Sequence, residues 1–234
     1  GPLLTDLSGY ITKKDKGFII LKKDHPLIKR KSYTFDQARR INRSACEQCR
    51  MCTDLCPRYL LGHNMQPHKM MRVLSYAPDD IQAQLPASLC CQCNLCEYFS
   101  CPANLHPRLT NAIFKQNMAE AKVRYQPTET EFHVRDARKY RLVPSKRLVA
   151  RLGLREFDQP APWTEETITP AEVHIATSQH VGAPAVPVVS TGDRVTAGQL
   201  IGKVPDGALG APIHASVSGT VSACGNDFIV IRMG

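Results

Sequence analysis

Apolar residues in the central part of the chain recur with the spacing of helices. Four helices are predicted, over residues 34–43, 67–74, 78–85 and 107–125. Thr34 offers an N-cap for the first helix, and each of the other three begins at a proline, which suits the first helical turn. Residues 34–125 are therefore expected to form a helical domain.

The last part of the chain follows a shorter, strand-like pattern. From residue 171 onward valine, isoleucine, glycine, alanine and threonine predominate, and turns rich in glycine separate short apolar runs. Strands are predicted at 186–189, 195, 200–201, 211–213, 219–221 and 228–231. Two similar halves indicate a small β sandwich or flattened barrel, so the predicted fold class is α+β, a helical domain followed by an all-β domain.

Two flanking regions lack such patterns. Residues 1–33 contain few apolar groups, with a strand candidate at 17–21, and are expected to be the remnant or connector of a preceding domain. The chain begins Gly1-Pro2, without a methionine or a signal region, and we expect a longer parent protein. Residues 126–170 form a basic, proline-rich linker with one helical turn near 145–152, and residues 171–234 form the β domain.

Composition narrows the function classes. The 234 residues carry a formal net charge of +9 with 43% hydrophobic residues, which excludes wholesale disorder. No apolar run reaches the roughly 18 residues that a membrane-spanning helix needs, so no membrane insertion is expected. No helix interleaves basic and aromatic residues, which disfavours nucleic acid as a partner. The basic surface suits an acidic redox partner or a phosphate-bearing cofactor.

The ten cysteines form the most informative pattern. Nine lie between Cys46 and Cys101, in two runs with nearly identical spacing. The runs are Cys46, Cys49, Cys52 and Cys56, followed by Pro57, and Cys90, Cys93, Cys96 and Cys101, followed by Pro102. A secreted disulfide framework would scatter its cysteines, so clustered thiols indicate metal ligands in a reducing compartment.

The first run has the spacing that holds a 4Fe-4S cluster in bacterial ferredoxins. Three thiolates two residues apart let one loop cap three iron corners, and the fourth cysteine, before a proline, ligates the other cluster. The predicted ligands of cluster 1 are Cys46, Cys49, Cys52 and Cys101, and those of cluster 2 are Cys90, Cys93, Cys96 and Cys56. The second run has four residues before its last cysteine, where the usual spacing is three.

Other interpretations of these cysteines fit less well. Zinc sites would use paired two-cysteine knuckles, and 2Fe-2S centres have different spacings. Disulfides are disfavoured by the close spacing and by the compartment. Cys91 is expected to be a spare buried thiol, and Cys224 a small core or turn residue. With eight thiolates and two oxidised clusters the formal charge falls from +9 to about +5.

The β domain resembles the barrel-sandwich hybrid fold of lipoyl and biotinyl carrier domains over residues 188–201 and 215–221. The modified lysine of those carriers has no counterpart, since Lys203 lies within a predicted strand, so an interaction or structural module is expected. The segments 180–199 and 212–221 resemble the RnfC family, in which a two-cluster ferredoxin domain also occurs. In RnfC the β domain comes before the flavin-binding region, whereas here it follows the cysteines. That order resembles the C-terminal part of the cobalamin reductases of the propanediol-utilization microcompartment.

This resemblance implies a parent protein that binds FMN, takes hydride from NADH and passes single electrons through two 4Fe-4S clusters to the cobalt of a corrinoid. It places the flavin and NADH sites outside this chain, and it implies no catalytic side chain within it. It also implies a corrinoid adenosyltransferase and microcompartment components as partners, in a cytoplasmic microcompartment. Two alternatives remain open: an RnfC-like subunit of a membrane ferredoxin:NAD oxidoreductase, and a non-catalytic assembly module with structural clusters.

Overall fold

The computed structural model describes residues 3–15, 17–127, 130–166 and 168–234. Gly1 and Pro2, on which the expectation of a longer parent partly rests, lie outside the described residues. The chain divides into a helical unit, residues 21–160, and a β unit formed by residues 1–20 together with 161–234. None of the described helices is long and apolar enough to cross a membrane.

Eight α-helices make up the helical unit. They are α1 (Pro26–Lys31), α2 (Phe35–Ala45), α3 (Met51–Asp54), α4 (Pro57–Leu60), α5 (Pro67–Tyr76), α6 (Ile81–Gln84), α7 (Pro107–Glu120) and α8 (Ser145–Arg151). Three 3-10 segments, at Leu85–Leu89, Asp136–Tyr140 and Arg155–Phe157, and one π-helix, at Leu95–Ser100, complete the unit.

Local sequence signals explain where these helices start. A capping box fixes the start of α2, in which the Thr34 hydroxyl accepts from the Gln37 amide and the Gln37 side chain accepts from the Thr34 amide. The helix expected at 78–85 is wrong in its start, because the Asp80 carboxylate caps a helix that begins at Ile81. The last long helix ends at Glu120, five residues before its predicted end.

The core of the helical unit lies between α5 and α7. Phe114 and Met118 of α7 pack with Met65, Met70 and Leu74, and all five side chains are buried. Three methionines in one core suit an irregular space, because the thioether chain is flexible and polarizable. Met71, which also lies on α5, packs instead with Cys101 and Leu105. Helix α5 therefore connects the apolar core to the cysteine region.

The β unit contains two antiparallel sheets. The strands are β1 (Glu172–Ala176), β2 (Val186–Pro187), β3 (Arg194–Val195), β4 (Leu200–Lys203), β5 (Ile213–His214), β6 (Gly219–Cys224) and β7 (Phe228–Arg232). One sheet has the order β1-β7-β6-β3 and the other β2-β4-β5. Ile201, Val221, Ile229 and Ile231 form the fully buried centre of its core. The unit is a sandwich whose described strands do not close into a barrel.

Two features of the β unit differ from the expectation. The strand predicted at 17–21 is not formed, and Phe18, Ile19 and Ile20 are exposed. The N-terminal segment instead contacts the β unit through the Tyr10 ring, which stacks on His174 with 3.8 Å between the centroids. Strand β1 was not predicted, and it is ordered by antiparallel pairing with β7, from Glu172 opposite Arg232 to Ala176 opposite Phe228.

Candidate metal centre

The two cysteine loops share an unusual backbone conformation. Gln48 and Arg50 in the first loop have φ angles of 55° and 65°, and Gln92 and Asn94 in the second have 53° and 65°. These residues occupy equivalent positions between the cysteines. Left-handed conformations are uncommon in residues other than glycine. Alternation of right- and left-handed residues turns successive backbone N–H groups into one concavity, a geometry found at many iron–sulfur sites.

The third cysteine of each run lies in the first turn of a helix. Arg50 is the N-cap of α3, which contains Cys52, and Asn94 is the N-cap of the π-helix that contains Cys96. A π-helix has a wider turn than an α-helix and uses one more residue to close it. The extra residue before Cys101 is therefore absorbed within this turn, which explains how the second run departs from the usual spacing.

The thiols of the first run lie close to Cys101. Burial and the neighbouring Cys101 and Cys46 raise the pKa of Cys52 to about 12, and Cys49 acts in the same direction. All four cysteines line one small cavity, together with His68 and backbone around Pro102. The four predicted ligands of cluster 1 thus surround a common space.

The thiols of the second run lie close to Cys56. Burial, and then Cys90, raise the pKa of Cys96 well above that of an ordinary thiol, and Cys56 contributes to the same shift. Burial raises the pKa of Cys93 to about 11, with Cys91 and Cys56 adding to it. The fourth cysteine of each run therefore neighbours the thiols of the other run. Cys52 also raises the pKa of Cys96, so the two groups of thiols adjoin each other.

The described side chains contain no three His, Cys, Asp or Glu residues that already stand in metal-ligating positions. The eight-ligand assignment therefore stays a prediction. The donor set nevertheless fits two 4Fe-4S clusters, because each group offers four thiols and cluster iron requires four thiolates. Burial and mutual repulsion of the thiols also show that an ionised set needs a cationic core to balance it.

Hydrogen bonds to sulfur accompany both groups. The Gln92 amide donates to Cys90 Sγ and the Leu105 amide to Cys101 Sγ, each at 3.3 Å. The Gln48 side chain donates to Cys46 Sγ at the same distance. Backbone N–H groups of Tyr59 and Arg58 lower the pKa of Cys56, although its burial outweighs them. Such donors stabilise thiolate charge and raise the potential of a bound cluster.

Charged groups also lie beside the thiols. Lys115 Nζ donates to the Cys90 carbonyl at 2.7 Å, and an Arg151 nitrogen to the Cys101 carbonyl at 3.4 Å. Both cations favour an electron-rich site.

Glu97 is a buried carboxylate that sequence reasoning missed. It is 1% exposed and accepts from the Leu109 amide at 3.1 Å, while His106 Nδ1 lies 3.4 Å and Arg108 Nε 3.9 Å from its oxygens. Burial works to raise the pKa of Glu97, but His106 and Arg108 outweigh it and hold the pKa below its usual value. Nothing in the local sequence distinguishes Glu97 from a surface glutamate, because its partners come from another element.

The two remaining cysteines have different surroundings. The expectation of a buried Cys91 is wrong, because the structure places it on the exposed side of its loop, as it does Glu47 at the equivalent position of the first loop. Cys224 is half-buried against the sandwich core and its Sγ lies 3.2 Å from the Val189 carbonyl, as expected of a small core residue. His68 is held by the Thr53 hydroxyl at 2.7 Å, in a structural role.

Comparison with known proteins matches both halves of this description. Residues 45–106 match the 4Fe-4S dicluster domain family, and residues 161–231 match the RnfC barrel sandwich hybrid domain family. The whole chain is 42% identical over 235 residues to cobalamin reductase PduS of Salmonella typhimurium, covering 52% of that protein. It is 38% identical over 236 residues to cobalamin reductase PduS of Citrobacter freundii, again covering all of this chain and 52% of the relative.

A shorter match involves 54 residues, which are 50% identical to part of the Na(+)-translocating ferredoxin:NAD(+) oxidoreductase complex of Acetobacterium woodii. It covers 23% of this chain and 12% of the matched protein. The chain spans about half the length of the two reductases that it matches throughout. Residues 45–106 therefore belong to the 4Fe-4S dicluster domain family and residues 161–231 to the RnfC barrel sandwich hybrid domain family, in a chain similar along its full length to about half of cobalamin reductase PduS.

Proposed function

We propose that this chain is the electron-transfer part of a flavin- and iron–sulfur-containing cobalamin reductase. In this role it receives electrons from NADH-reduced FMN bound outside this chain and delivers them singly to the cobalt of a corrinoid. The observation that carries the proposal is the pair of adjoining four-thiol groups in which Cys56 and Cys101 each neighbour the other run. Full-length similarity to PduS supports the choice of a corrinoid as acceptor.

The residues of the chain hold and insulate the site. Eight cysteines supply thiolates, and when bound a 4Fe-4S cluster exchanges one electron at a time. Burial of Cys56, Cys96 and Cys101 excludes water from the junction between the two groups. Contact between Cys52 and Cys96 keeps the two sites close, which favours rapid electron exchange.

No side chain needs to act as a general acid or base in this function. The chain acts by setting potentials, through burial, hydrogen bonds to sulfur and nearby charge. Lys115 and Arg151 stabilise added negative charge and raise the potentials, whereas the Glu97 carboxylate opposes reduction of the site at Cys96.

We extend the proposal to the β unit, to the partners and to the location. The β unit lacks a carrier lysine at a turn, since Lys203 lies within β4, so we assign it to docking or structure. A corrinoid adenosyltransferase is the proposed partner and a bacterial microcompartment the proposed location, as the family resemblance implies. Co-purification of the full-length protein with an adenosyltransferase and shell proteins tests both assignments.

Stoichiometric reduction of a corrinoid tests the acceptor. The iron–sulfur-loaded chain is reduced with dithionite, freed of excess reductant and mixed with cob(III)alamin. We expect two reduced clusters to yield about two equivalents of cob(II)alamin, one electron each, followed by its absorbance. Reduced clusters that stay reduced in the presence of cob(III)alamin would contradict the proposal.

A second candidate is an RnfC-like subunit of an ion-translocating ferredoxin:NAD oxidoreductase. The RnfC domain match and the 54-residue match to the Acetobacterium woodii complex favour it. Rapid oxidation of the reduced chain by oxidised ferredoxin, with none by cob(III)alamin, would select this candidate.

A further inference from the structure

A basic groove lies beside one of the predicted cluster ligands. Its volume is about 680 Å³, within the range of small-molecule sites. Arg40 and Arg43 line it from α2, and Arg72 and Tyr76 line it from α5. Spacings of three and four residues place each pair on one face of its helix, so the two helices present their side chains to the same space.

The arginines of this groove are not neutralised. In the described part of the chain no acidic side chain forms an ion pair with Arg40, Arg43 or Arg72, although other arginines do form such pairs. All three are exposed to solvent. Three guanidinium groups facing one concavity repel each other, and an anion that accepts their hydrogen bonds relieves this repulsion.

The remaining lining narrows the class of anion. Ser44 and Ser75 place hydroxyl groups in the groove, and the Tyr76 ring is 81% exposed, free to stack on an aromatic ring. Guanidinium forks with hydroxyl groups suit phosphate oxygens, and an exposed ring beside them suits the base or ring system of a nucleotide-like molecule. An acidic protein partner would use a flatter surface and would leave this concavity unfilled.

The groove also touches the predicted electron path. Cys46 lines both the groove and the cavity of the first thiol group. Gln48, which lines the groove as well, donates to Cys46 Sγ at 3.3 Å. A molecule bound in the groove therefore lies next to a sulfur that faces the first cluster site.

We propose that this groove binds a phosphate-bearing aromatic redox cofactor and forms the port through which an electron passes to or from the site held by Cys46. Phosphate recognition stands on the groove alone, whereas the port rests on the proposed electron-transfer function. In each encounter one electron moves, so the cofactor is oxidised by one electron as the cluster site is reduced by one, or the reverse.

Calorimetric titration of the iron–sulfur-loaded chain tests the binding. Flavin mononucleotide is the probe, and riboflavin is the matched molecule without phosphate. We expect flavin mononucleotide to bind at least about tenfold more tightly than riboflavin, since each charge-assisted hydrogen bond contributes appreciably. Inorganic pyrophosphate should compete with it. No binding of flavin mononucleotide, or equal binding of both flavins, would overturn the proposal.

Matched double variants locate the site. Arg43→Gln with Arg72→Gln should weaken flavin mononucleotide binding at least about tenfold. Arg138→Gln with Arg141→Gln removes the same charge from exposed positions outside the groove and should leave binding within about twofold. Equal losses in both pairs would reduce the effect to net charge and refute the site. Visible absorbance of the clusters shows that each variant is loaded and folded.

A second measurement separates the port from simple binding. Bound phosphate places negative charge near Cys46, so flavin mononucleotide should lower the midpoint potential of one cluster more than that of the other. Binding without this unequal shift would retain the phosphate site and reject the port. Binding of polyglutamate in place of flavin mononucleotide would show an acidic-protein surface and overturn the proposal. All these outcomes hold whether or not the chain reduces a corrinoid, so failure of the proposed function is distinguishable.

Discussion

Cys56 and Cys101 adopt the same backbone conformation at the ends of turns that differ in length by one residue. Cys56 has φ −69° and ψ 119°, and Cys101 has φ −72° and ψ 115°. An α-turn precedes Cys56 and a π-turn precedes Cys101. A proline follows each cysteine and favours this extended conformation. The equivalence lets both cysteines leave their own loop and reach the thiols of the other run.

Exchange of these two cysteines tests the crossed arrangement. Cys101→Ala should remove mainly cluster 1, and Cys56→Ala mainly cluster 2, because each thiol neighbours the other run. Iron content and the EPR signals of the two reduced clusters, compared between variants, measure the losses. Cys91→Ala is the matched control, since its exposed thiol should be dispensable. Loss confined to cluster 2 in Cys101→Ala would refute the pairing.

Cluster assembly should depend on pH. Burial raises the thiol pKa of Cys52 to about 12 and of Cys93 to about 11, so both are protonated at neutral pH. Iron binding must displace these protons, and the apparent affinity therefore falls as the pH is lowered. Reconstitution of the iron-free chain in the presence of a competing chelator should give a lower yield at about pH 6.5 than at about pH 8.5. A yield that does not change with pH would contradict the burial of these thiols.

Lys115 should raise the potential of one cluster. Its ammonium group donates to the Cys90 carbonyl at 2.7 Å and stabilises added negative charge there. Lys115→Gln should lower the potential of cluster 2 by roughly 40 mV, if the interaction is worth about 1 kcal/mol for one electron. Potentiometric EPR titration measures both clusters. Lys122→Gln, an exposed position just after α7, is the charge-matched control and should leave both potentials unchanged.

Gly219 should be intolerant of a side chain. A Cβ atom at this position would collide with the backbone carbonyl of Arg232 on the neighbouring strand β7. Gly219→Ala should therefore destabilise the β unit by about 1–3 kcal/mol. Gly225→Ala is the matched change, because its nearest neighbour would be the Phe228 carbonyl at 3.8 Å. Thermal unfolding of the two variants compares them, and equal midpoints would contradict the packing at Gly219.

Local signals account for the parts of the fold that were predicted correctly. The capping box at Thr34 and the prolines at Pro67 and Pro107 act within one helical turn, so the starts of α2, α5 and α7 are legible from the sequence. Glycine turns and apolar runs likewise predicted the sandwich. The start of α6 was misplaced because Asp80, rather than Pro78, supplies the cap.

Other features depend on tertiary contacts and carry no local signal. The exposure of Cys91 follows from the left-handed conformation of the next residue, Gln92, which turns the loop. The π-turn before Cys101 was visible only as an extra residue in the spacing. The buried site of Glu97 is assembled by Arg108 and His106 across the chain, and strand β1 forms because β7 offers an edge.

An EPR-monitored redox titration, combined with iron and sulfide analysis, tests the electron-transfer function most directly. We predict about eight iron and eight sulfide per chain, and two clusters that dithionite reduces reversibly. The adjoining thiol groups at Cys52 and Cys96 further predict magnetic interaction between the two reduced clusters. About two zinc per chain without an EPR signal, or clusters that do not cycle reversibly, would contradict the electron-transfer account.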